Sequence, residues 1–246
     1  MFGIYILLII FIYLYYYFYY IIKKNNTLLN IVDYDIIYYT GGYYGFYQLG
    51  VSHYIKNNFN YKNKSTLGIS AGSWLAVFMK LDNTNSKLFL SSLFKTIKRN
   101  TPIQLLPSII KNCIQPYVNN ISIENINIVV TNISEFKYTI HNTFLSVNDV
   151  INCCTASSFV PFVTYKDLFY FYNHKLVVDG GLFKRIYLNK IDTDKTLIIK
   201  YDMFGRFKNF KLFKSFRKPS YTFYELYMLG YKDACRNHKY LQQYFD

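Results

Sequence analysis

The sequence predicts an α/β fold, a mainly parallel central sheet flanked by helices. Three observations predict it. Strand-forming runs alternate with helix-forming runs from residue 35 onward, the pattern of a sheet with parallel pairs. Three of the strand runs lead within two residues into glycine, at Gly41-Gly42, at Gly68 and at Gly180-Gly181. Hydrophobic content of 52% and aromatic content of 21% exclude a disordered chain. The length leaves room for one domain of roughly 220 residues with its own core, once an N-terminal segment is set aside.

That segment comes first. Residues 1–22 are apolar or tyrosine almost throughout, with no charged side chain before Lys23-Lys24. A helix from Phe2 to Ile22 would run about 31 Å at ~1.5 Å per residue, enough to cross a bilayer core. Tyr13, Tyr15, Tyr16, Tyr17, Tyr19 and Tyr20 crowd its C-terminal half, where phenols sit at headgroup depth. A cleaved signal peptide would want a basic start, a shorter apolar stretch and small residues at a cleavage site; all three are missing. Residues 1–24 are thus expected to be a single-pass transmembrane anchor, with a buried core helix as the other reading. Residues 25–34 form a linker and 35–246 the main domain, which the positive-inside rule puts on the cytosolic side of a membrane.

The elements of the domain follow in order. Asp35 to Tyr39 is a strand run and Phe46 to Lys56 a helix. Ser65 to Leu67 is a short strand and Trp74 to Leu81 has helical habit. Residues 84 to 118 hold two helices broken at Pro102 and Pro107. Ile126 to Asn132 is a buried strand, with Phe136 to Ile140 as a partner. Val147 to Ala156 has helical spacing with Ser146 as its cap. Leu168 to Tyr172, Lys175 to Val178 and Thr196 to Tyr201 are strands, and Tyr221 to Tyr244 is a closing helix.

The glycines carry the chemistry. In Gly68-Ile69-Ser70-Ala71-Gly72 a serine stands between two glycines at a strand-to-helix turn. Such a turn is too tight for flanking side chains and pushes the serine oxygen outward, the form of a nucleophile elbow. The helix behind it favours negative charge at its N-terminus. In Thr40-Gly41-Gly42-Tyr43-Tyr44-Gly45, a strand opens into glycines whose amides can converge on an anion. It lacks the Gly-Lys-Ser/Thr of a phosphate loop and the Gly-x-Gly-x-x-Gly of a dinucleotide fold. Close helix packing is the plainer reading of Gly41, Gly42, Gly45 and Gly50. Asp179-Gly180-Gly181 puts an acid at the end of an apolar strand, where α/β sites form and where a carboxylate can take a serine proton. A type I′ hairpin turn is its plainer reading.

Together these clusters resemble the patatin-like phospholipase family. The order matches: a glycine-rich loop after the first strand, the Gly-x-Ser-x-Gly serine, then Asp-Gly-Gly. Val150 to Pro161, ending in Ala156-Ser157-Ser158-Phe159-Val160-Pro161, resembles the family's helix before the aspartate strand. The resemblance covers roughly residues 35 to 200. It implies a three-layer sandwich and a Ser70–Asp179 dyad without histidine. The oxyanion hole would come from amides at Gly41, Gly42 and Tyr43, with Gly45, Gly68, Gly72, Gly180 and Gly181 as motif glycines. The implied activity is hydrolysis of lipid carboxylic esters through an acyl-serine, with no cofactor and no metal. Many members carry three glycines followed by x-Arg-Gly; here Thr40 replaces one glycine and the arginine is absent. An inactive lipid-binding scaffold is the non-enzyme alternative.

The remaining features are less specific. The net charge of +14 comes with an excess of Lys, Asn, Ile, Tyr and Phe, whose codons are AT-rich, so it argues weakly for an anionic partner. Cys113, Cys153, Cys154 and Cys235 show no Cys-x-x-Cys spacing and indicate neither a zinc site nor a disulfide framework. Between Phe204 and Lys218, Phe204, Phe207, Phe210, Phe213 and Phe216 recur every three residues among Arg206, Lys208, Lys211, Lys214, Arg217 and Lys218. Such a stripe drifts by roughly 60° per step on an α-helix. It suits contact with an anionic membrane surface or a covered sheet edge with solvated lysines; no motif for nucleic acid accompanies it. Ser70, Asp179 and His238 stand in the order of an α/β-hydrolase triad, but His238 falls in a polar terminal helix and is expected at the surface.

Overall fold

The computed structural model describes residues 16, 17, 20, 21, 24, 34–182, 195–207 and 215–245. The expected anchor and linker fall mostly outside these residues. Among the described residues no helix is long and apolar enough to cross a membrane.

The domain is α/β, with a mixed sheet flanked by helices. Its strands are β1 (Ile36–Tyr38), β2 (Thr66–Ile69), β3 (Ile126–Asn132), β4 (Lys137–His141), β5 (Tyr170–Tyr172), β6 (Lys175–Val178) and β7 (Leu197–Ile199). They are ordered β5-β6-β3-β2-β1-β7, with β4 also on β3. The sheet is less parallel than expected. The pairs β1–β2, β1–β7 and β2–β3 are parallel, while β3–β4, β3–β6 and β5–β6 are antiparallel. The cause is local. β5 and β6 are joined by a two-residue turn, Asn173-His174, with φ of 48° and 59°, the left-handed pair of a primed hairpin. The hairpin turn thus lies at Asn173-His174, not at Asp179-Gly180.

The helices are α1 (Gly45–Asn58), α2 (Ala71–Lys80), α3 (Asn83–Thr96), α4 (Leu106–Ile114), α5 (Val147–Ser157), α6 (Phe223–Arg236) and α7 (His238–Gln242). The expected closing helix breaks at Asn237 between α6 and α7. Its start is secured by a capping box between Thr222 and Glu225, worth about 1 kcal/mol. Strand alternation divides the core. Ile36, Tyr38, Ile128, Val130 and Ile199 join the helices in the main cluster. Ile37, Leu67, Ile69, Val129 and Tyr138 form a smaller cluster on the opposite face. Tyr34, placed in the linker from sequence, is buried in this second cluster.

α1 and α6 cross at two glycines. A Cβ on Gly50 would lie 1.9 Å from Tyr227 O, and one on Gly230 1.9 Å from Tyr47 O. Gly50 therefore serves helix packing. The start of α1 is fixed by Gln48, fully buried, whose Nε2 donates to Tyr39 O (3.1 Å) and Ile199 O (3.2 Å) at the ends of β1 and β7.

Lys56, near the end of α1, is buried without a carboxylate partner among the described residues. Its ammonium donates to Tyr61 Oη (2.6 Å), to Met79 O (2.9 Å) and to Leu81 O, so it caps the last carbonyls of α2. Burial, despite Asp82, brings its pKa down to about 8. The unfolded chain keeps this proton up to about pH 10.5, so above pH 8 folding releases it and stability from this group rises with pH. The slope approaches about 1.4 kcal/mol per pH unit. Urea unfolding at pH 7, 8 and 9 should show wild type gaining on Lys56→Met as pH rises. A constant difference between the two would contradict this assignment.

Candidate active site

One edge of β3 brings the two chemistry-bearing residues together. β2 runs parallel along that edge as far as Ile69 opposite Val129. β6 comes down it in the opposite sense, Val177 facing Asn132 and Val178 facing Thr131. The other edge of β3 is taken by β4. Both strands therefore run out at the level of Val130, and the next residues are Ser70 and Asp179. Thr131 Oγ1 donates to Asp179 O (2.9 Å), tying the end of β6 to β3.

Ser70 is the N-cap of α2 and has φ 57° and ψ −125°, a conformation that a side chain rarely adopts and that clusters at functional sites. The flanking glycines are obligatory. A Cβ on Gly72 would lie 2.1 Å from Tyr38 O, and one on Gly68 2.5 Å from Ser73 Cα. The elbow is thus wedged between β1 and its own helix. Ser73 Oγ donates to Ser70 O at 2.6 Å and closes the turn.

Asp179 is buried, 6% exposed. Its amide donates to Phe159 O (2.7 Å), that of Gly180 to Ser157 O (2.9 Å), and that of Gly181 to Asp179 Oδ1 (2.7 Å). Gly181 lies against Thr40, with a hypothetical Cβ only 2.1 Å from Thr40 Cγ2. The Thr40 methyl fills the corner between the glycine loop and the aspartate loop, which accounts for a threonine there.

In the glycine loop, residues 42–44 form a 3₁₀ turn that leads into α1. Tyr44 N–H turns back to Gly41 O (2.9 Å) and Gly45 N–H to Gly42 O. The turn's own donors thus begin at Tyr44, and those of Gly41 and Gly42 precede it. Gly42 has φ 51° and sits against Ser215 O, where a Cβ would come within 2.6 Å. The Tyr43 side chain packs on Phe223 (5.7 Å between rings), leaving only its backbone available to a site.

Ser70 opens into an apolar pocket of about 690 Å³, its mouth included, between α1, α2, α3 and α4. Trp74, Phe78, Phe89, Leu93, Leu106 and Ile110 supply most of the wall. Gly42, Gly45, Ser158, Thr164 and Phe216 also line it. Of the residues expected from sequence, Ser70, Gly42 and Gly45 line this pocket; Asp179, Gly41 and Tyr43 do not.

The histidines lie elsewhere. His238 Nδ1 meets Tyr54 Oη (3.0 Å) and its ring stacks on Phe59 at 4.9 Å; it is half-buried in these contacts, at the partly exposed position expected of it. His53 shares a hydrogen bond with Tyr227 Oη, and burial, with Lys56 and Lys87, pushes it down to about 4. His174 sits in the β5–β6 turn. His141 meets Tyr172 edge-on.

The basic run does not present one aromatic stripe. Phe207 is buried against Tyr44 and Tyr47, Phe216 lines the pocket, and Phe204 is half-buried near Tyr240. The Arg206 guanidinium is bidentate on Asp233 (2.6 and 2.7 Å). Lys208, Phe210, Lys211, Phe213 and Lys214 lie outside the described residues. Among the described residues no three His, Cys, Asp or Glu side chains are grouped to hold a metal. No family model matches the chain, and no curated protein shows significant similarity to it.

The Ser70 backbone makes a sharp prediction. In ordinary secondary structure glycine is less stable than alanine by about 0.5–1 kcal/mol. At φ 57° the order should invert, so Ser70→Gly should be more stable than Ser70→Ala by on the order of 1 kcal/mol. Urea denaturation of the two variants checks it; a more stable alanine variant would mean that the elbow is not strained.

Proposed function

We propose that this protein is a lipid acyl hydrolase of the patatin-like kind, cleaving carboxylic esters of phospholipids or glycerides through an acyl-serine. The observation that carries the reading is a serine held at φ 57° on the mouth of an apolar pocket, with a buried aspartate beside it at the end of β6. The pocket suits an acyl chain, because almost everything that lines it is hydrocarbon.

In this scheme Ser70 Oγ attacks the ester carbonyl carbon while the Asp179 carboxylate takes the hydroxyl proton. The carbonyl oxygen becomes an oxyanion, stabilised by the amides of Gly41 and Gly42 and by the N-terminus of α2. Collapse breaks the bond to the alcohol, which leaves with the proton from Asp179, and the acyl group stays on Ser70. Water then gives a proton to Asp179 and adds to the acyl carbon. The second collapse releases the fatty acid and returns the proton to Ser70. A Ser-Asp-His triad is disfavoured by His238, which is engaged with Tyr54 and Phe59.

We place the domain at a membrane, held by residues 2–22 and facing the cytosol, with Phe204, Lys208, Lys211, Phe213, Lys214 and Arg217 as the surface contact. This rests on the sequence pattern alone. Full-length chain should resist alkaline carbonate and a chain starting at Asn25 should be released by it. Release of both, or cleavage near residue 22, would remove the anchor from the account.

The chemistry is tested by mutation. Ser70→Ala and Asp179→Asn should each lower ester hydrolysis by on the order of a thousandfold or more, with folding intact. His53→Ala, His174→Ala and His238→Ala should stay near wild type. Wild-type turnover in Ser70→Ala would end the assignment, and a loss in His238→Ala equal to that in Asp179→Asn would favour the triad.

A further inference from the structure

The C-terminal end of α5 touches both halves of the site. Ser70 donates its amide N–H to Ser157 Oγ at 2.9 Å. Gly180 donates its amide to Ser157 O at 2.9 Å, and Asp179 donates to Phe159 O at 2.7 Å. Ser157, the last residue of α5, is completely buried. The next residue extends the contact: the Trp74 indole N–H donates to Ser158 Oγ (3.1 Å), and Thr164 Oγ1 donates to Ser158 O (2.8 Å). Phe159 is locked in turn by stacking on Tyr165 at 4.7 Å.

We infer that Ser157 is a positioning residue for the Ser70–Asp179 chemistry, its hydroxyl holding the strained elbow and its carbonyl the aspartate loop in one register. The inference rests on the proposed hydrolase reading and names the group that makes its geometry possible. A backbone at φ 57° persists only where the surroundings over-determine it. β2 ends at Ile69, so the Ser70 amide is past the β2–β3 ladder, and the Ser157 hydroxyl is its acceptor. Without that oxygen a buried amide loses its partner, and the elbow is free to relax away from Asp179. Ser157 does not line the pocket, whereas Ser158 and Thr164 do. Its loss should therefore affect turnover rather than substrate binding.

The test uses the full chain in detergent with a p-nitrophenyl ester of a long acyl chain. Ser157→Ala, and Ser157→Cys with its weaker acceptor in the same space, should lower kcat on the order of ten- to a hundredfold. KM should move less than about twofold, because binding is unaffected. Ser157→Thr, which keeps an Oγ, should recover most of the rate. The comparison is Ser86→Ala, another buried serine whose Oγ donates to Asp82 O and which does not line the pocket; it should keep wild-type kcat. Wild-type kcat in both Ser157→Ala and Ser157→Cys, with Ser70→Ala inactive, would overturn the inference and leave the hydrolase reading standing. Losses in Ser157→Ala and Ser157→Cys that match a loss of folded protein by near-UV circular dichroism would also overturn it, marking Ser157 as structural. Wild-type kcat in Ser70→Ala would instead defeat the hydrolase reading.

Discussion

β3 has one edge for two strands, and most of the site follows from that sharing. β2 pairs with it as far as Val129 and β6 begins again at Thr131. Two chains that meet head-on cannot both continue in the ladder, so each must leave it at Val130. A serine at the end of one and an aspartate at the end of the other are thereby delivered to the same point without a long loop. Backbone pairing brings the two residues to one point, and the contacts of Ser157 hold them there. Gly180 makes the close approach possible: a Cβ there would fall 2.1 Å from Val129 O.

The remaining pieces hold the neighbouring elements to that point. Gln48 ties α1 to the ends of β1 and β7, which fixes where the glycine loop starts. α6 is drawn onto α1 at Gly50 and Gly230. The chain after β7 is pinned by Asp233 of α6, which accepts from Arg206 and from Tyr47 Oη. Burial alone would raise the Asp233 pKa, but the bonds from Arg206 and Tyr47 win and hold it below the usual carboxylate range. A bidentate guanidinium pair is among the stronger polar contacts available to a partly buried acid. It joins the segment that begins the basic run to α6 where that helix packs on α1.

Much of this was legible in the sequence, because the elements announce themselves through periodicity and glycine. Ile126–Asn132 and Lys175–Val178 are strands with the expected bounds, and Ser70 occupies the turn that Gly68 and Gly72 imply. What was not legible depends on pairs distant in the chain. The mixed sheet arises from which edge β6 chooses, and no local pattern encodes that choice. Gln48 is one of several polar residues in α1, and its two carbonyl partners lie at the ends of β1 and β7. Ser157 was visible only as one letter of Ala-Ser-x-x-x-Pro; its contact with Ser70 spans 87 residues, and that with Gly180 is made from a helix end. The three-residue phenylalanine spacing suggested a surface stripe, yet among the described residues Phe207 is in the core and Phe216 lines the pocket.

The central claim is that Ser70 is an activated nucleophile opening into an acyl pocket. A fluorophosphonate carrying a long alkyl chain reacts with such a serine and places that chain where an acyl group would lie. Treating the full-length protein with this reagent, digesting it and locating the adduct by mass spectrometry tests the claim directly. The account predicts one modified residue, Ser70, with labelling slowed by competing fatty acid. An unmodified Ser70, or an adduct on another residue at equal rate, would contradict it.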